Sequence, residues 1–243
     1  MQIETIKSLK KIIITGSVAV GKSSIVNHVK QTLESKNYNV ILVPEYIDYL
    51  PDGVTMLNKY FKSIITPYEF QLYILNYYET YLNNLANQTN EISKNSIILF
   101  ERCIDDGITC FSNLDNKKGK LSNTELNDLL ERALKINQKY NLPTYFKNVN
   151  QTFIPIKTED IELDSLLISS VIQLRSKYPN IIIGLYNSPE ICYERLQERN
   201  REGESKFYDY EYIKTLSKHY KRLYKSLMYS RYSLSLTTIG SLM

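Results

Sequence analysis

The stretch Gly16-Ser17-Val18-Ala19-Val20-Gly21-Lys22-Ser23 matches the pattern G-x-x-x-x-G-K-[ST], a loop whose backbone N–H groups close around phosphate oxygens. It constrains the fold, because such a loop belongs between a buried strand and the first turn of a helix. Both flanks are present: the apolar run Lys11-Ile12-Ile13-Ile14-Thr15 precedes it, and a helical pattern from about Gly21 to Leu33 follows. The pattern predicts that Gly16 through Ser24 bind ATP or GTP. Lys22 would bring a point charge to the outer phosphates, the Ser23 hydroxyl would reach Mg²⁺, and the helix start adds partial positive charge.

Further apolar runs recur at Asn39 to Val43, Ser96 to Phe100 and Asn180 to Tyr186. Helical periodicity lies between and after them, at 23–33, 67–85, 123–140, 163–177, 189–201 and 208–229. This alternation predicts an α/β fold, a parallel sheet covered by helices. A chain of 243 residues without a Gly/Ser/Pro-rich linker suits one domain over 1–243. Within it, 142–164 carries Pro143, Pro155 and mixed charge with no clear period, which predicts an irregular insertion. Residues 232–239 read as a last short strand. The stripe Tyr73, Tyr77, Tyr81, at i, i+4 spacing, predicts core packing.

A net charge of +4 without a basic block fits a small anionic ligand better than nucleic acid. No apolar run is long enough to span a bilayer, and the polar start before Lys11 resembles neither a signal peptide nor a transit peptide. The expectation is a soluble, intracellular, cytoplasmic protein. Cys103, Cys110 and Cys192 lack metal-ligand spacing and read as reduced core thiols.

In open α/β sheets ligands bind at the carboxyl ends of the strands. Three strand ends carry charge there: Val43-Pro44-Glu45, Phe100-Glu101-Arg102, and the fourth strand, which leads through Asn187-Ser188-Pro189-Glu190 into an Arg-rich helix. One carboxylate at such a site can accept the proton of an attacking hydroxyl, a second can hold Mg²⁺, and an adjacent Arg can steady the acceptor oxygen. Phe70, Gln71 and Phe111 supply aromatic faces and a bidentate amide suited to a nucleobase. Arg195, Arg199 and Arg201 follow the last strong strand at i, i+4 and i+6 and can converge on phosphates, a task that suits a planar, permanently charged guanidinium.

Taken in order, Gly16 to Ser24, Val43-Pro44-Glu45, Phe70-Gln71-Leu72-Tyr73, Glu101-Arg102-Cys103 and Ser188-Pro189-Glu190 through Glu204 resemble the motifs of the deoxynucleoside kinase family over roughly Lys11 to Tyr229. The resemblance implies a phosphate-loop kinase fold with a five-stranded parallel sheet and an Arg-rich lid, ATP with Mg²⁺ as donor, a deoxynucleoside as acceptor, and a homodimer. It implies Glu45 as general base for the sugar 5′-hydroxyl, Glu101 beside Mg²⁺, and Arg102 on the 5′-oxygen. Gln71 would pair with the base edge, Phe111 would stack on the base, and Tyr60 and Glu204 would meet at the 3′-hydroxyl. Gly107 stands where relatives carry Asp or Ala, which favours thymidine or another pyrimidine. Cys103 replaces the usual Ser. The segment from Glu45 to Gln71 is short, that from Glu101 to Ser188 is long, and the family's final helix is expected to be missing. A nucleoside monophosphate kinase of the thymidylate kinase type, and a nucleotide-binding relative acting as a non-catalytic subunit, are the competing readings.

Overall fold

Consecutive β-branched residues, apolar on both sides, form the middle of the molecule. The computed structural model describes residues 2–88, 92–93, 95–146, 151–158, 178–199 and 204–235. Its strands are β1 (Lys10–Gly16), β2 (Asn39–Val43), β3 (Ser96–Glu101), β4 (Gln151–Lys157) and β5 (Asn180–Tyr186). All pair in parallel, in the order β2-β3-β1-β5-β4. Ile12 is in register with Leu99 on one side and Ile181 on the other, and all three are buried, as expected for strands covered on both faces.

The helices 67–85 and 189–201 expected from periodicity are observed as Pro67–Asn87 and Pro189–Arg199, and that expected at 123–140 spans Asn123–Tyr140. Reciprocal hydrogen bonds between Thr66 and Glu69, and between Ser122 and Glu125, start two of them as capping boxes. The periodic segment 163–177 lies outside the described residues. Two expectations change. The stretch 142–164, read as irregular, contains β4, which among the described residues pairs only with β5 and so tolerates Pro155 at the sheet edge. The segment 232–239 does not begin as a strand, because the Tyr210–Ser235 helix runs through its first residues. The alternation Tyr232-Ser-Leu-Ser-Leu-Thr looked strand-like, yet the preceding helix continues into it.

Of the tyrosine stripe, Tyr77 is buried in the core and Tyr81 packs against it, while Tyr73 lies outside it and donates to Asp52 Oδ1 at 2.6 Å. Tyr77 donates to Pro44 O at 2.6 Å and Tyr81 to Leu42 O at 2.7 Å, so the Pro67–Asn87 helix holds the end of β2. Cys103, Cys110 and Cys192 are buried thiols. Among the described residues no helix is long and apolar enough to cross a membrane.

Lys11, at the start of β1, is fully buried and donates to Lys7 O and Leu9 O at 3.1 and 2.8 Å. Loss of water around the ammonium lowers its pKa to about 7. Between that value and the ordinary 10.5 the unfolded chain binds more protons than the folded one, so stability rises with pH there, by a few kcal/mol from this group. Lys11→Met is expected to flatten the rise. Denaturant titrations at pH 7 and 9.5 check this, and a parent protein as insensitive to pH as the variant would contradict it.

Candidate active site

Three parallel strands end side by side and place the polar residues that follow them in one cleft. At the end of β1, a Cβ on Gly16 would lie 2.6 Å from Leu185 O, so only glycine lets the loop leave the sheet this close to β5. The loop then turns into the Lys22–Ser35 helix. Lys22 Nζ donates to Ser17 O at 3.0 Å and lies 3.6 Å from Glu45 Oε1. Burial, reinforced by the Arg102 charge, lowers its pKa to about 8. Glu45 is held at the cleft by the chain entering a short helix, Tyr46–Tyr49.

Glu101 closes β3 and accepts a hydrogen bond from Ser23 Oγ at 2.6 Å. Burial raises the pKa of its carboxyl, with the nearby Glu45 charge adding to the effect. Arg102 follows with φ of 79°, a left-handed conformation that costs an arginine on the order of 1–3 kcal/mol. Its N–H bonds to Ile14 O at 2.8 Å. Its guanidinium donates to Glu45 Oε1 at 2.9 Å, to Gly16 O at 3.1 Å and to Tyr220 OH at 3.0 Å, and lies over the Phe111 ring at 5.3 Å. Behind it, the fully buried Asp106 accepts from Thr15 Oγ1 at 2.5 Å and Tyr145 OH at 2.6 Å, 3.9 Å from the guanidinium.

These groups border a cavity of about 310 Å³. It gathers Val18, Ala19, Gly21, Lys22, Ser23, Ser24, Glu45, Tyr60, Phe70, Gln71, Glu101, Arg102, Phe111, Arg195, Arg199 and Glu204, most of the residues expected from sequence. Gly16, Ser17 and Val20 belong to the loop but do not line it, and Arg201 lies outside the described residues. Tyr60 and Glu204, expected to act together, have separate partners: Tyr60 OH donates to Asp115 at 2.8 Å, and Glu204 is ion-paired with Arg199. Tyr60 also stacks on Phe70 with centroids 4.7 Å apart. Arg195 reaches toward Val20 O at 3.4 Å.

Gly107 begins a π-helical turn, Gly107–Ser112, that presses against Gln71: a Cβ at Gly107 would lie 2.6 Å from Gln71 Oε1. The cavity also includes Tyr46, Asp48, Tyr78 and Tyr208, which sequence reasoning did not single out. Spacing could have found Tyr78, since Gln71, Ile74 and Tyr78 fall at i, i+3 and i+7 and share a helix face. Ser23 Oγ and Glu101 Oε1, side by side, are hard oxygen donors of the kind Mg²⁺ takes, so this end of the cavity suits the ion.

A family model described as deoxynucleoside kinase matches residues 12–159. Among solved structures, deoxyadenosine kinase from M. mycoides with bound dATP is similar at a TM-score of 0.54 and 21% identity, over 91% of this chain and 86% of that one. At that identity the likeness is one of fold. No curated protein matches the chain.

Proposed function

Since the chain belongs to the deoxynucleoside kinase family, we propose that it transfers the γ-phosphate of Mg-ATP to the 5′-hydroxyl of a pyrimidine deoxynucleoside, thymidine above all. The observation that carries this reading is the Glu45–Arg102 pair, 2.9 Å apart, with Lys22 Nζ 3.6 Å from the same carboxylate. A base, an oxygen-steadying cation and a phosphate-neutralising cation thus meet at one point. Glu45 takes the 5′-hydroxyl proton, Arg102 holds the 5′-oxygen, and Lys22 offsets charge on the moving phosphoryl. Ser23 and Glu101 hold Mg²⁺, which when bound neutralises phosphate charge. Arg195, Arg199 and Arg201 form a lid over the donor phosphates, and its closure excludes water. The working form is a cytoplasmic homodimer.

The nucleobase lies against Phe111, with its edge on Gln71, while Tyr60 and Glu204 take the sugar 3′-hydroxyl. The Gln71 amide can donate to a carbonyl and accept from a ring N–H, the pattern that thymine presents. Gly107 places no carboxylate beside it, so an exocyclic amino group gains no charged partner. One solved structure of similar fold is a deoxyadenosine kinase, which makes deoxyadenosine the informative competitor.

Thymidine is expected to give the highest kcat/KM of the four deoxynucleosides, with deoxycytidine next. Gly107→Asp should penalise thymidine most, because the new side chain displaces the Gln71 amide and brings an uncompensated charge to the base. Steady-state rates with each nucleoside check both statements. Faster use of deoxyadenosine than thymidine by the unmodified protein would overturn the base preference and leave the phosphotransfer in place.

A further inference from the structure

A second cavity, of about 510 Å³, shares no lining residue with the first. It opens between the ends of β4 and β5 and the Tyr210–Ser235 helix, with Ser17 of the phosphate loop in its wall. The helix contributes Lys214, Lys218 and Lys221, which recur at i, i+4 and i+7 on one face, and β4 contributes Lys157. Like charges at this spacing repel each other and disfavour the helix unless an anion lies among them. Glu190, also in the wall, accepts from Tyr210 OH, and Lys214 lies 3.0 Å from Glu211, so among the described residues of the wall lysines outnumber carboxylates.

Ser17 and Ser217 both line this wall, and among the described residues their buried hydroxyl oxygens have no hydrogen-bond partner; Ser17 is only 4% exposed. A buried hydroxyl without a partner is costly, and finding two in one cavity points to a ligand able to accept from both. We propose that this cavity is a second anion site, which takes a polyphosphate chain such as that of a nucleoside triphosphate. Lysine ammonium groups serve as point charges for phosphate oxygens, and their spread along two turns of helix matches a chain of phosphates better than a single one. The site touches the catalytic cations from behind: Ser17 O accepts from Lys22, and Tyr220, also in the wall, accepts from Arg102.

The test titrates inorganic tripolyphosphate calorimetrically into full-length Lys22→Ala protein, in which the phosphate loop has lost its cation. The expected result is one tripolyphosphate per chain, weakened about tenfold or more when Lys218→Glu and Lys221→Glu are added. Charge reversal weakens anion binding over a wide surface, so Ser217→Ala is the discriminating variant. It is expected to weaken tripolyphosphate by several-fold without lowering Tm, because the hydroxyl it removes has no partner among the described residues. No binding to the Lys22→Ala protein, undiminished binding after the lysine or serine changes, or displacement of tripolyphosphate by adenosine, which would mark a base pocket, each overturns the proposal.

Discussion

Lys22→Ala is expected to lower kcat by a hundredfold to a thousandfold or more while the protein remains folded. The ammonium sits 3.6 Å from Glu45 in a water-poor cleft, where a fixed cation aimed at developing phosphoryl charge acts far more strongly than in water. Removing it takes away a group whose burial already lowers its pKa to about 8, so the folded protein loses no favourable charge interaction comparable to the catalytic one. Activity and stability should therefore separate: Tm is expected to hold or rise as turnover disappears. A loss below about tenfold in steady-state kcat would count against phosphoryl transfer at this loop.

Glu45→Gln is the second large effect. The amide keeps the shape and can still accept from Arg102, but it cannot take a proton from the 5′-hydroxyl. The expected outcome is a fall in kcat of about a hundredfold to ten-thousandfold with little change in nucleoside KM, the signature of an interaction made in the transition state. Arg102 keeps Gly16 O, Tyr220 OH and the buried Asp106 around it, so the fold is expected to survive the change. Glu101→Gln is the control. If that variant were inactive and Glu45→Gln fully active, the base and the metal-side carboxylate would have to be exchanged.

Much of the site was legible because its parts are local. The phosphate loop is a contiguous pattern, and Glu45, Glu101 and Arg102 each follow an apolar run whose end marks the ligand face of a parallel sheet. The strand β4 was not legible, since an edge strand pairs on one side only, and Pro155 with Lys157 broke the apolar signal that central strands give. Nor could spacing show what stands behind Arg102. Thr15, Asp106 and Tyr145 meet from positions 91 and 130 residues apart along the chain. The partners of Tyr60 and Glu204 differed for a similar reason: Asp115 and Arg199 reach them through tertiary packing and a short turn that no motif encodes.

The measurement that bears most directly on the central claim is the identity of the phosphorylated product. Purified protein is given Mg-ATP labelled at the γ-phosphate together with either thymidine or thymidine 5′-monophosphate, and the products are separated. Glu45 paired with Arg102 at the acceptor end suits an uncharged hydroxyl, so label is expected to appear as thymidine 5′-monophosphate in the first reaction. Label transferred only to the monophosphate, giving a diphosphate, would contradict the account and make the chain a nucleoside monophosphate kinase.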